Sequence, residues 1–278
     1  VLACGVAAIL GAGAYFRFLQ SDSASSGKTS SGPAGLGQQT LPPLIGKPRS
    51  LTPPQKLAAT RQLIDEQLAK SPEFSAFFDR FKSAFPAAHK RILDGFVDGA
   101  VKDGRIETAD LYLAQALRGL RSSHGVLAAN ASPEALESVF DLQATTLRAL
   151  AAQDPKLCAD FLFGAASQGF FRFSAANRKL VAKMAEAGLN AIIDGQKNNI
   201  ERAAPSQQEF QQLEAALRKS GLQNPEVEML LDGKIPEPVL ADATVCRAGQ
   251  SYFDVLTRMP DDLRMKIYAL SVKLRARS

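Results

Sequence analysis

Residues 71–85 read SPEFSAFFDRFKSAF, and the reading of this stretch decides the fold. Ser71 stands before Pro72 and Glu73, the order of a helix start. A cap oxygen can accept from an unpaired amide, and proline's missing N–H does no harm in the first turn. The acid suits the positive end of the helix dipole. Phe74, Phe77, Phe78, Phe81 and Phe85 then fall at i, i+3, i+4, i+7 and i+11, one stripe of an α-helix. The same start recurs as Ser132-Pro133-Glu134, Asp154-Pro155-Lys156 and Asn224-Pro225-Glu226. Four copies of one helix signal predict a many-helix protein.

The flanking segments agree. Leu57, Ile64 and Leu68 stripe the preceding helix. Leu136, Val139, Phe140, Leu147 and Leu150 stripe a later one, and Leu263, Ile267, Leu270 and Leu274 stripe the last. No segment alternates apolar and polar residues between turn signals, so no sheet is expected. The prediction is an all-α, irregular multi-helix bundle over 53–278. Its helices are placed near 53–69, 72–84, 86–102, 107–128, 133–151, 155–164, 174–196, 206–219, 225–231, 237–258 and 261–276. Short connections favour antiparallel neighbours, and no fixed-period repeat points to a solenoid.

Upstream of the bundle, 19 of the 32 residues from Ser21 to Thr52 are Ser, Thr, Gly or Pro, and none is aromatic. Such a stretch cannot bury enough apolar surface to offset its ordering entropy, so 21–52 reads as a flexible linker. As a coil it would reach roughly 30 Å. Before it, Val1 to Phe16 carries no charge, and Arg17 follows. Residues 1–20 therefore read as a transmembrane anchor or signal segment. An uncleaved anchor is preferred, because sixteen helical residues span roughly 24 Å and a few more would cross the hydrocarbon core. Cleavage after Ala12-Gly13-Ala14 would instead release a soluble exported body. A lipoprotein box at Val1-Leu2-Ala3-Cys4 is disfavoured, since the apolar run continues past Cys4. Only Arg17 flanks the run, so it does not fix orientation. The expectation is export to a periplasmic or extracellular space, as for most chains with an N-terminal apolar segment and a large body, with a cytoplasm-facing anchored adaptor as the third option.

The formal charge of +5 is uneven. Residues 1–52 hold +3 and the last fifteen residues +5, which leaves the body near −3. A basic face of the kind nucleic acid requires is absent, so nucleic-acid binding is not expected. The C-terminal helix sets Leu263, Ile267, Leu270 and Leu274 against Arg264, Lys266 and Lys273. That pattern fits a packed helix with solvated cations better than one lying on lipid.

Linear signs of catalysis fail one by one. Asp103-Gly104-Arg105-Ile106-Glu107 with Asp110 resembles the second half of an EF-hand loop. Its first two ligand positions would be Gly99 and Val101, which offer no side-chain oxygen, so calcium is disfavoured. Gly164 to Gly169 has phosphate-loop spacing but leads into Phe170-Phe171 in place of Lys-Ser/Thr. His89 and His124 have no acid or cysteine at metal-ligand spacing, and each is expected on a solvated helix or loop. Asp65, Glu66, Asp160 and Asp254 cannot be paired from sequence. No catalytic, cofactor or metal residue is assigned, and a non-enzymatic role is favoured.

Two features carry expectations. Cys158 and Cys246 both lie among apolar residues, and export would favour a disulfide joining two distant helices. Phe161, Phe163, Phe170, Phe171 and Phe173 surround a Gly/Ser connection, where packing is the default and an apolar binding patch the alternative. The leading functional expectation is a membrane-tethered, exported helical domain that contacts a protein partner, in cell-envelope assembly or maintenance. The runner-up is an exported enzyme or small-ligand binder with an inter-helix site near Phe161–Phe173.

Overall fold

A computed structural model describes residues 52–164 and 167–277. Within them the chain forms twelve α-helices and two short 3-10 segments, with no strand. The helices are α1 Pro53–Ala69, α2 Ser75–Ala84, α3 Pro86–Asp103, α4 Ala109–His124, α5 Pro133–Gln153 and α6 Pro155–Leu162. They continue as α7 Gln168–Ala176, α8 Arg178–Asn198, α9 Gln207–Lys219, α10 Asn224–Asp232, α11 Asp242–Leu256 and α12 Asp261–Arg275. The 3-10 segments are Pro72–Phe74 and Gly125–Asn130. The all-α irregular bundle is therefore the fold. The expected anchor at 1–20 and all but the last residue of the linker at 21–52 lie outside the described residues. No helix among the described residues is long and apolar enough to cross a membrane.

The phenylalanine stripe packs inward. Phe74, Phe77, Phe81 and Phe85 are buried and Phe78 is half-buried. Every member of the α5 stripe from Leu136 to Leu150 is buried as well. Phe140 of that stripe stacks on Tyr268 of α12, with ring centroids 3.7 Å apart and planes 9° from parallel. Leu57 breaks its expected pattern: it is exposed at the start of α1, while Ile64 of the same helix is fully buried. α12 is a packed helix. Its Arg264 pairs with Glu137 of α5 and its Lys266 with Glu209 of α9, and Leu263, Met265, Ile267 and Tyr268 are in the core.

The start signals work unequally. The Ser132 hydroxyl accepts from the Ala135 amide, and the Asp154 carboxylate from the Lys156 amide. Ser71 opens a 3-10 turn without a side-chain cap. Near Asn224 the cap lies one residue earlier, at Gln223, whose amide donates to the Glu226 carboxylate.

Three helix boundaries differ from expectation. The predicted 174–196 is two helices, α7 and α8, broken at Asn177. Ser167 caps α7 by accepting from the Phe170 amide, so the aromatic run that read as a connection is helical. The predicted 107–128 stops at His124 and tightens into the Gly125–Asn130 segment. The predicted 237–258 begins only at Asp242. Pro236 and Pro238 cannot donate to a helix ladder, and Val239 is exposed.

α8 runs beside α5 and the Gly125–Asn130 segment, and α12 closes over the same segment. Gly195 makes the approach possible, since a Cβ there would come 1.9 Å from the Leu127 carbonyl oxygen. Polar bonds hold the junction. Asp194 accepts from the Ser132 amide, Asn130 donates to the Asn199 side chain at 2.8 Å, and the Ile200 amide donates to the Asn130 carbonyl.

Candidate functional site

The helix pattern leaves one cavity among α4, α5, α8 and α12. On α4, Leu113, Ala116 and Leu120 are buried, while Ala114, Leu117, Arg118 and Arg121 form the adjacent stripe at i, i+3, i+4 and i+7. That stripe faces the cavity. On α8 three of the six lining positions are small, Ala185, Gly188 and Ala191 at three-residue spacing, beside Met184, Leu189 and Ile192. A Cβ built on Gly188 would meet nothing within 4 Å. Small side chains on a long helix thus leave a space of about 330 Å³. This is at the lower end of the roughly 300–1,000 Å³ typical of small-ligand sites.

Most of the lining is apolar, with Leu117, Phe161, Phe170, Met184 and Ile192 prominent. The polar members are Arg118, Arg121, Gln143 and Arg275, and no acidic residue is among the described lining residues. Arg275, on the last turn of α12, donates to the Gln143 side-chain oxygen at 3.0 Å, with its guanidinium 6.0 Å from the Phe140 ring centre. The residue is half-buried overall, yet its charged end is deep enough that burial pushes its pKa down to about 9, with Arg121 adding to the effect. A guanidinium keeps its proton in proteins. The shift therefore reads as the cost of holding a cation inside. Burial, and then the neighbouring Arg118, also lowers the pKa of Arg121. Arg121 thus repels both Arg118 and Arg275 in a mostly apolar lining.

Such a lining can fix an anion or cover an apolar body. None of the described lining residues carries a carboxylate, imidazole, hydroxyl or thiol.

A second cavity, of about 530 Å³, lies beside α1, α2 and α3. It is the larger, but Arg61, Asp65, Asp79, Lys82 and His89 share its lining, so both signs of charge meet there. Two of its lining residues, Arg61 and Lys90, both pair with Asp94. The first cavity has one sign of charge and the better case for a ligand.

Of the five phenylalanines singled out in the sequence, Phe161 and Phe170 line the first cavity and stack at 5.9 Å between centroids. Phe173 is buried behind Phe170, at 6.2 Å, Phe171 is half-buried and Phe163 is exposed. The patch is thus divided between a cavity wall, the core and the surface. Cys158 of α6 and Cys246 of α11 are brought together with their sulfurs 2.01 Å apart, and both are buried. The bond ties α6, which carries Phe161 one turn later, to α11.

Other readings change with the structure. His89 and His124 lie on helices, as expected, but each is half-buried against a phenylalanine, His89 on Phe81 and His124 on Phe85. Asp110, the last acid of the EF-like stretch, is buried and accepts from Arg178 at 2.9 Å and from the Ser174 hydroxyl at 3.2 Å. Gly104 ends α3 in the left-handed conformation, at φ +67°. No group of three or more His, Cys, Asp or Glu among the described residues is placed to hold a metal ion. Sequence reasoning missed Arg121, Gln143, Gly188 and Arg275. The one available signal was the three-residue spacing of Arg118 and Arg121 beside an apolar stripe.

No protein-family model, curated protein or solved structure matches this chain.

Proposed function

We propose that this chain is a tethered, exported helical domain that binds a small apolar ligand between α4, α5, α8 and α12, without catalysing its conversion. The observation that carries the proposal is the cavity of about 330 Å³ whose far wall is thinned by Ala185, Gly188 and Ala191. A packed interior rarely tolerates such a space, because each lining atom forfeits contacts. The runner-up expectation thereby gains over a purely protein-contacting role. The exposed large apolar residues fall on separate segments: Leu57 and Leu63 on α1, then Val126, Phe163, Ile200, Ile235 and Val239. The apolar run at 1–16 and the linker support export and tethering, as does the approach of Cys158 to Cys246, because disulfides persist in oxidising compartments.

Nile red, a neutral dye that fluoresces in apolar surroundings, tests the reading with the full-length chain. Gly188→Leu fills the space without a Cβ clash and exchanges glycine for a better helix former, worth about 0.5–1 kcal/mol. The expected outcome is saturable binding by the wild-type chain and loss of that component in a Gly188→Leu protein that melts no lower. Equal dye binding by both proteins would remove the cavity from the account.

A further inference from the structure

We infer that the cavity takes a single-chain amphiphile with an anionic head, its chain against Leu117, Phe161, Phe170 and Met184 and its head on Arg121 with Arg275. The inference rests on the ligand-binding reading above and names the ligand's chemistry. Arg121 lines an apolar cavity beside Arg118 and Arg275, with no acid among the described lining residues, and it sets the sign of the guest. Arg121 has no ion-pair or side-chain hydrogen-bond partner among the described residues, although it is half-buried. A neutral apolar guest gains the lining contacts but gives that guanidinium no partner, so it binds more weakly than a guest whose head answers the charge. A cationic guest would add repulsion. A carboxylate or phosphate head answers the guanidinium with paired, charge-assisted hydrogen bonds. An inorganic anion alone would leave the apolar lining facing water, so the guest needs a tail as well as a charge. The volume, small for a ligand site, favours one chain over two.

Gln143 contributes by position. Its side-chain oxygen holds the Arg275 guanidinium at 3.0 Å, which fixes the fork at the cavity and keeps it from swinging to solvent. A carboxylate and a phosphate monoester share this chemistry, and the head-group series below separates them.

Calorimetric titration of the full-length chain with dodecanoate, dodecyl phosphate, dodecanol and dodecyltrimethylammonium decides the matter. Gly188→Leu serves as the blank for binding outside the cavity. Dodecanoate or dodecyl phosphate is expected to bind roughly tenfold or more tighter than dodecanol, the effect of one charged hydrogen-bonded contact. The tighter of the two anions names the head. Arg121→Met should bring the anion down to the alcohol's affinity and leave the alcohol unchanged, and Arg121→Lys should retain the preference for anions. Dodecanol binding as tightly as both anions, or the ammonium binding more tightly, overturns the inference on the wild-type protein alone, whatever the variants do. If Nile red enters the cavity but no anion is preferred, only the head-group assignment falls. If neither dye nor amphiphile distinguishes wild type from Gly188→Leu, the ligand-binding reading falls with it.

Discussion

Arg121 keeps a guanidinium half-buried on a wall whose neighbours are mostly apolar, and Arg118 raises the cost by lying close on the same helix face. A side chain selected for stability alone would not carry that charge, because replacing a buried ion with a well-packed apolar group is often neutral or stabilising. Arg121→Met is therefore expected to raise the melting temperature by a few degrees, as read by circular dichroism, while weakening anion binding. A fall in melting temperature would mean that the guanidinium supports the fold. Asp110 teaches the opposite lesson about single residues. In sequence it completes an EF-like row of acids, whereas in the structure it faces Arg178, far along the chain, and is satisfied there. Acid spacing showed only what Asp110 could not do with its neighbours. Its partner came from a helix junction that no linear pattern announces.

At the scale of elements, the helices were legible because burial and capping repeat every three or four residues, and α1, α5 and α12 lie where the stripes put them. The errors came where tertiary contact overrides the pattern. The Gly125–Asn130 segment departs from the α-helix where α8 crosses it at Gly195, and the aromatic run became α7 because Ser167 caps it. The cavity was half legible: Phe161 and Phe170 were marked by aromatic density, but its other walls come from helices distant in sequence. Gly195→Ala tests the crossing. Its Cβ would meet backbone, not a side chain that can turn away, so a loss of about 2–3 kcal/mol, at the upper end for overpacking, is expected from urea unfolding. A loss below half of that would show that α8 and the 3-10 segment can part freely. The link between α6 and α11 is a second test. With the two cysteines 88 residues apart, the chain-entropy model gives at most ~4.5 kcal/mol for the bond. Cys158→Ala with Cys246→Ala should therefore lower the urea midpoint markedly. Unfolded wild-type protein purified without reductant should leave both thiols closed to maleimide.

For the molecule as a whole, acid should act in two stages. Burial, more than the nearby Lys82 or Arg91, lowers the pKa of His89 and His124 from 6.5. The unfolded chain then takes those protons first, so their contribution is complete above pH 6.5 and declines as pH falls through 6.5 towards the folded values. Glu209 is held near 2 by Lys266 first and by Ser206, against 4.5 when unfolded. Its contribution is complete above 4.5 and is lost between 4.5 and about 2. Melting temperatures recorded from pH 8 to pH 2 should fall across both windows, and His89→Gln should flatten the upper one. A flat profile between pH 7 and 5 would contradict the burial of the two imidazoles. The whole account turns on whether the space behind Phe161 and Phe170 is built to be filled. The most direct measurement is a crystal structure of the chain grown with ω-bromododecanoate, with data taken at the bromine absorption edge. The account predicts a bromine peak among Phe161, Phe170 and Met184 and a carboxylate at Arg121. Bromine found only on the outer surface, with the cavity holding water or closed by its own side chains, would contradict it.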